Sequence, residues 1–190
     1  MIIGITGSIA SGKSIITSYL KSKQFYIIDC DCISHDVLKL PKVIERIALE
    51  FGNEVIVNNQ VDRKALGKII YNDSCKNELL KSIVFPEILK TIKEEISKHT
   101  GIIFLDAPLL FEYNIEYLVD KIIVVKSDKD IQVQRLMARD NISKEYAIKK
   151  IESQLATEIK ESKADYVVVN NDSIENVYKQ IDLILQKLEE

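Results

Sequence analysis

Short apolar runs rich in isoleucine and valine alternate along this chain with longer segments whose apolar residues recur at helical spacing. The runs are typical of buried strands, and the segments, such as the one that carries Ile16, Tyr19 and Leu20, are typical of amphipathic helices. Strands are predicted at 1–6, 25–29, 101–106, 121–125 and 166–169. Helices are predicted at 13–23, 33–51, 62–99, 128–139 and from 174 onward, with a segment of turns at 51–61.

Strands that alternate with helices require crossover connections, and these favour a mainly parallel sheet covered on both faces. We therefore predict an α/β fold of three layers with a five-stranded sheet. The helical stretch between the second and third strands is longer than one crossover needs, so part of it is expected to form a subdomain over the site. Ligands of such folds bind at the carboxyl ends of the strands, where Gly7, Asp29 and Asp106 fall.

Composition narrows the class of protein. A chain of 190 residues with 46% hydrophobic and 29% charged residues fits one soluble domain. A net charge of −3 gives no basic surface for nucleic acid, and no apolar run is long enough to cross a membrane. The chain has three cysteines, Cys30, Cys32 and Cys75. An odd number without the spacing of a disulfide framework predicts reduced thiols in the cytoplasm. A zinc site from Cys30, Cys32 and His35 lacks a fourth ligand.

The segment "GSIASGKS" carries the strongest chemical signal. Gly7, Gly12, Lys13 and Ser14 fit the phosphate-loop pattern G-x-x-x-x-G-K-[ST], between a predicted strand and a predicted helix. The glycines let successive backbone N–H groups face a phosphate, and the following helix adds its positive end. Lys13 is expected to reach the outer phosphates and Ser14 to bind magnesium. The alternative is an ordinary strand-to-helix turn.

Further charged residues suit phosphoryl transfer. Asp29 and Asp31 point the same way if the chain is extended there, so one could act as a general base, although such acids also cap helices. Arg135 and Arg139 share a helical face that could meet a phosphate, or could simply be solvated. Asp106 ends a strand where a magnesium-bound water is often held. No N-K-x-D guanine motif is present.

Several motifs together resemble one known family. They are the phosphate loop, "IDCD", "VDRKALGKIIYND", "DAPLLFE", "QRLMARD", "SQ" at 153–154 and "KADYVVVNND". In this order and spacing, over nearly the whole chain, they resemble the dephospho-coenzyme A kinases. The resemblance implies a P-loop kinase that uses ATP and Mg²⁺ to phosphorylate the ribose 3′-hydroxyl of dephospho-coenzyme A, the last step of coenzyme A synthesis.

The resemblance also implies roles for individual residues. Catalysis would involve Asp31, Lys13 and Arg139. The expected ATP-binding residues are Ser8, Ala10, Ser11, Gly12, Lys13, Ser14, Ile15, Arg139 and Asn170. The expected acceptor-binding residues are Thr6, Asp31, Arg63, Pro86, Leu109 and Glu112. Magnesium would be bound by Ser14, and by Asp106 through a water molecule. The expected single domain, 1–190, has a core of about 1–32, 100–134 and 163–190, a helical acceptor-binding region of about 61–98 and a lid of about 135–160.

The chain departs from the family pattern at several positions. Ser8 and Ala10 replace glycines at variable positions of the phosphate loop, and Phe85 replaces a histidine before proline. Asp172 replaces a glycine, and Lys160 stands where an arginine is often present, although lysine lacks the bidentate fork.

Two alternative functions stay open at this point: a nucleoside or nucleoside monophosphate kinase on the same fold, and a nucleotide-binding switch without phosphoryl transfer. The expected partners are ATP and dephospho-coenzyme A, with no nucleic acid and no membrane. No oligomeric state is predicted.

Overall fold

The computed structural model describes residues 1–71 and 73–189. Asn72, which falls inside the helical segment predicted at 62–99, and Glu190 lie outside the described residues. The chain forms two compact units, Met1–Ile28 with His99–Glu190, and Asp29–Lys98.

The strands are, in chain order, β1 (Ile2–Gly7), β2 (Tyr26–Asp29), β3 (Ile56–Val57), β4 (Gln60–Val61), β5 (Ile103–Asp106), β6 (Lys121–Lys126) and β7 (Tyr166–Val169). The helices are α1 (Lys13–Ser22), α2 (Cys30–Val37), α3 (Pro41–Phe51), α4 (Arg63–Tyr71), α5 (Ser74–Ser97), α6 (Lys129–Asp140), α7 (Lys144–Glu152), α8 (Thr157–Ser162) and α9 (Ile174–Glu189). Short 3-10 helices span Asn53–Val55 and Glu116–Leu118. No helix of the described residues is long and apolar enough to cross a bilayer.

The first unit is built on a five-stranded sheet with the order β2-β5-β1-β6-β7. β1 lies at its centre and runs parallel to β5 and β6, and β6 runs parallel to β7. The predicted α/β fold with a parallel five-stranded sheet is confirmed. Because β1 is central and buried, its end projects a loop from the middle of the sheet edge, which is where this fold binds ligands.

Helices α1 and α9 pack with the sheet in the main core. Ile16 and Leu20 of α1 join Ile3, Ile5 and Phe104 of the strands, all with no solvent exposure. Burial of each such side chain contributes about 1.5–3 kcal/mol. Residues of α9 complete this core: Val177, Ile181, Ile184, Leu185 and Leu188.

A smaller apolar cluster joins α6 to α7. Its buried members are Val133, Leu136 and Ala147. Ile9 and Ala10, from the loop after β1, pack against this cluster. The loop is therefore held by apolar contacts as well as by its two ends.

The second unit contains α2 to α5 and a small hairpin. Ile56 pairs with Val61 in the antiparallel ladder of β3 and β4, with Asn58 and Asn59 between them at φ of 50° and 59°. Two such asparagines are typical of a tight hairpin turn. The sequence prediction of turns alone at 51–61 missed these strands, because two-residue strands are too short to show periodicity. The unit also begins at Asp29, well before the predicted acceptor-binding region of 61–98.

Candidate active site

The phosphate loop joins the end of β1 to the start of α1, and both motif glycines are sterically required. A Cβ on Gly12 would lie 1.9 Å from Asn170 Nδ2, and the backbone there has a φ of 92°. A Cβ on Gly7 would lie 2.4 Å from the Val125 carbonyl oxygen. No side chain of the described residues caps α1, and although the Ile15 N–H donates to the Gly12 carbonyl at 2.9 Å, the N–H groups of Lys13 and Ser14 are available to an anion.

Lys13 and Asp106 meet at the sheet edge. Lys13 Nζ forms an ion pair with Asp106 Oδ1, and both side chains are mostly buried. Asp106 is the last residue of β5 and lies beside Ile5 of β1, so neighbouring parallel strands bring these charges together. Ser14 lies on the first turn of α1 and is exposed.

The donors present suit a magnesium ion. Ser14 and Asp106 offer a hydroxyl and a carboxylate, which are the hard oxygen ligands that Mg²⁺ prefers. No group of three His, Cys, Asp or Glu side chains that could hold a metal occurs in the described part of the chain. At nucleotide sites Mg²⁺ usually takes one or two protein oxygens together with water and phosphate oxygens.

Asn170 supports the phosphate loop from the end of β7. Its Nδ2 donates to the Ser11 carbonyl at 2.8 Å, and only 1% of the residue is exposed. Ser11 Oγ is buried and has no hydrogen-bond partner among the described residues, so this hydroxyl can serve a ligand inside the loop. The remaining residues of the predicted ATP set also lie in the first unit: Ser8, Ala10, Gly12, Lys13, Ser14, Ile15 and Arg139.

Ser127 is a residue of this region that the sequence analysis missed. It is buried and donates to the carbonyls of Asn170, at 2.6 Å, and Ser11, at 3.1 Å. Arg135 Nη1 in turn donates to Ser127 Oγ at 2.9 Å. Ser127 comes just after β6, at the same sheet edge as the phosphate loop, and this position in the sequence was the signal that could have identified it.

The two arginines of α6 have different surroundings. Arg135 is half-buried against Ser127, whereas Arg139 is exposed and donates from Nε to Asp140 Oδ1 at 2.8 Å. Lys150 Nζ also donates to Asp140, at 2.8 Å. These hydrogen bonds, that of Arg139 first, hold the pKa of Asp140 well below its ordinary value, while Asp140 raises the pKa of Arg139.

Three predicted acceptor-binding residues also belong to the first unit. Thr6 Oγ1 donates to the Pro108 carbonyl at 3.1 Å, and Leu109 is half-buried in the same loop after β5. Glu112 Oε1 accepts from Lys160 Nζ at 2.7 Å and from the Leu155 backbone N–H at 3.2 Å. Lys160 has no solvent exposure, so a fully buried cation fixes this carboxylate.

The other predicted acceptor residues belong to the second unit. Asp29 ends β2 and caps α2, where its carboxylate accepts from the Cys32 N–H at 2.9 Å. Asp31 follows in the first turn of α2 and is exposed, so the two acids do not share an extended strand, and Asp29 fits the alternative of a helix cap. Arg63 is the exposed first residue of α4, and Pro86 lies inside α5.

A cavity of about 430 Å³ adjoins the phosphate loop within the first unit. Ser8, Ser127, Gln132, Gln154 and Thr157 are among its polar lining residues. Two ion pairs border it, Lys126 with Glu161 and Lys129 with Glu152.

Comparisons with known proteins agree along nearly the whole chain. The family model described as dephospho-CoA kinase matches residues 1–176. The dephospho-CoA kinase of Fusobacterium nucleatum is 42% identical over 184 residues, covering 96% of this chain and 95% of its own. That of Oceanobacillus iheyensis is 42% identical over 193 residues, covering 98% and 97%.

Solved structures agree as well. A Thermus thermophilus protein, TT1252, superposes with a TM-score of 0.88 at 30% identity, covering 99% of this chain and 97% of its own. The Campylobacter jejuni dephospho-CoA kinase gives a TM-score of 0.76 at 30% identity, covering 98% and 96%. A shikimate kinase at 14% identity, with a TM-score of 0.51, shares the fold alone. From its sequence, its fold and its phosphate-loop geometry, the chain belongs to the dephospho-CoA kinase family.

Proposed function

We propose that this protein transfers the γ-phosphoryl group of ATP to the ribose 3′-hydroxyl of dephospho-coenzyme A. The observation that carries the proposal is a complete phosphate loop beside the Lys13–Asp106 pair, in a chain whose family match runs over residues 1–176. The free cysteines of the chain are consistent with the predicted cytoplasmic location.

The loop binds the triphosphate through its backbone. The uncapped N-terminus of α1 and the cradle that Gly12 keeps open would receive the phosphates, and Lys13 would neutralise the outer ones. The ion pair holds Lys13 and Asp106 together at the sheet edge, and ATP binding would exchange it for a phosphate at Lys13 and a magnesium-bound water at Asp106. Ser14 and Asp106 would hold Mg²⁺, Asp106 through water; when bound, the ion neutralises charge on the β- and γ-phosphate oxygens.

Asp31 would act as the general base on the acceptor. It accepts the proton of the 3′-hydroxyl, and the hydroxyl oxygen forms a bond to the γ-phosphorus. The bond from that phosphorus to the β–γ bridging oxygen breaks, and ADP leaves with its electron pair. Asp31 suits this role because it is exposed and makes no hydrogen bond or ion pair within the described residues, while Asp29 is occupied as the helix cap.

Arg139 would stabilise the transferring phosphoryl group as part of the lid, 135–160. It is exposed and bound only to its neighbour Asp140 in the described part of the chain, so exchanging that carboxylate for a phosphate costs little. Arg135 lies deeper and is bound to Ser127. The region 61–98, with Arg63 and Pro86, would bind the acceptor together with Thr6, Leu109 and Glu112.

Asp31→Asn tests the assignment of the base. We expect turnover with dephospho-coenzyme A to fall by about 10²- to 10⁴-fold while ADP binds as before, because the phosphate loop is untouched. Asp36→Asn is the matched control, since Asp36 is an exposed acid on the same helix that pairs with Lys39. Equal activity of Asp31→Asn and the wild type would remove Asp31 from the mechanism.

A further inference from the structure

The first half of the phosphate loop is bound to a segment far along the chain. The Ile9 backbone N–H donates to Gln154 Oε1 at 2.8 Å, and Ser8 Oγ shares a hydrogen bond with Thr157 Oγ1 at 2.7 Å. Ser8 is 5% exposed, so it is largely covered by its neighbours. These two contacts join the loop after β1 to the turn between α7 and α8 and to the first residue of α8.

The same part of the loop is fixed on its apolar side. Ile9 and Ala10 pack against the cluster of α6 and α7. Ala10 has a φ of 60°, a left-handed conformation that costs a residue with a Cβ about 1–2 kcal/mol. Such a conformation persists only where surrounding contacts enforce it. The loop shape is therefore imposed from outside as well as by its own glycines.

The segment that supplies these contacts borders open space. Ser8, Gln154 and Thr157 all line the cavity of about 430 Å³. Leu155, between the two polar residues, is held by its N–H to Glu112. The hydrogen bonds therefore lie at the wall of a cavity, where their loss would leave room for the loop to relax.

We propose that Gln154 and Thr157 are positioning residues for ATP: they hold the phosphate loop in the shape that binds the triphosphate. This inference rests on the proposed use of ATP. Gln154 fixes the orientation of the peptide before Ile9, and Thr157 fixes Ser8. Neither side chain needs to touch the nucleotide. By thermodynamic reciprocity, bound nucleotide must then stabilise the segment that contains Gln154 and Thr157.

ADP binding, measured by calorimetry without any acceptor, tests the proposal. Gln154→Leu removes the acceptor of the part-buried Ile9 N–H, which should weaken ADP binding by about tenfold. Gln154→Glu keeps an acceptor oxygen at the same place and should stay within about threefold of the wild type. Ser162→Ala, an exposed serine of α8, is the control and should leave ADP binding unchanged.

A double-mutant cycle tests the second contact. Ser8→Ala, Thr157→Val and the double variant should weaken ADP binding to a similar extent, because one shared hydrogen bond is lost in each. Steady-state kinetics should show a higher KM for ATP and an unchanged KM for the acceptor. A purely structural role would instead lower kcat through a smaller folded fraction, with both KM values unchanged.

Hydrogen exchange provides a readout that does not depend on the variants. ADP should slow exchange of the backbone amides in 153–158 of the wild type. The inference would be overturned by any of three results. Gln154→Leu could bind ADP as tightly as the wild type, the effects of Ser8→Ala and Thr157→Val on ADP binding could be additive, or ADP could leave hydrogen exchange in 153–158 unchanged. ADP affinity is measured without any acceptor. If the protein phosphorylated an acceptor other than dephospho-coenzyme A, that result would contradict the proposed function but not this inference.

Discussion

Individual residues of the phosphate loop show why its sequence is restricted. Gly12 has a left-handed φ and faces the Asn170 amide at a distance that excludes a Cβ. Ala10 also has a left-handed φ, and its surrounding contacts compensate for the strain. The motif could be read from the sequence, but the identity of the neighbour that blocks position 12 could not, because Asn170 comes from the other end of the chain.

Gly12→Ala should abolish ADP binding and destabilise the fold, because the new Cβ overlaps Asn170 Nδ2 and the backbone is left-handed. Gly67→Ala is the matched control. Gly67 lies in α4, where a Cβ would meet no described atom within 4 Å beyond its chain neighbours and the nearby backbone of the helix, so this change should stabilise the protein by about 0.5–1 kcal/mol. Calorimetry and urea unfolding measure the two effects, and unaltered ADP binding in Gly12→Ala would contradict the steric argument.

Lys160→Met should cost about 3–5 kcal/mol of folding free energy, since it leaves the Glu112 carboxylate in a mostly buried site without its cation. Lys160→Met combined with Glu112→Leu should recover much of this loss, because no unpaired charge remains. Urea unfolding of the three variants measures the difference. A double variant as unstable as Lys160→Met would show that packing, rather than charge, dominates there.

At the level of elements, long periodic segments were predictable and short ones were not. The five strands of the sheet and helices α1, α6 and α9 follow clear apolar patterns, so their positions were predicted closely, whereas the short helices α7 and α8 were not predicted. For Asp29 and Asp31 the sequence left two alternatives open, an extended pair and acids that cap a helix, because the pattern does not show where α2 begins; Asp29 caps α2, and Asp31 lies in its first turn. Ser8 and Thr157 lie far apart in the sequence, and no pattern in the sequence indicates that they are in contact.

The ends of α6 and α7 give a prediction for pH. Asp140 has a folded pKa below its ordinary value of 3.8, with Arg139 as the first cause and Lys150 as the second. Its contribution to stability is therefore present above pH 3.8 and is lost as the pH falls through the lower folded pKa. Asp140→Asn should be less stable than the wild type at pH 7, and the difference should shrink as the pH falls below 3.8.

Thermal unfolding between pH 2 and 7 measures this effect, with Asp36→Asn as an exposed-acid control. A difference between Asp140→Asn and the wild type that stays constant across this pH range would contradict the assignment.

At the level of the whole molecule, nucleotide binding and folding are linked in the first unit. The phosphate loop contacts β6, β7, α6 and the turn before α8, so a ligand that binds it should stabilise the unit as a whole. The second unit carries Asp31, Arg63 and Pro86, whose roles stay predictions.

ADP at 100 times its Kd should raise the free energy of unfolding by about 2.7 kcal/mol. Lys13→Met should lose most of this increase, because the cation for the outer phosphates is removed. Lys21→Met, an exposed lysine near the other end of α1, should keep it. Thermal shift with and without ADP and Mg²⁺ measures both, and equal shifts in the two variants would exclude Lys13 from the nucleotide site.

The most direct test of the central claim is the acceptor preference with ATP and Mg²⁺. We predict ADP release with dephospho-coenzyme A but not with adenosine, AMP or no acceptor, and a product whose phosphorus NMR spectrum shows the new phosphate on the ribose 3′-oxygen. Turnover with adenosine or AMP instead, or a phosphate at any other position of dephospho-coenzyme A, would contradict the account.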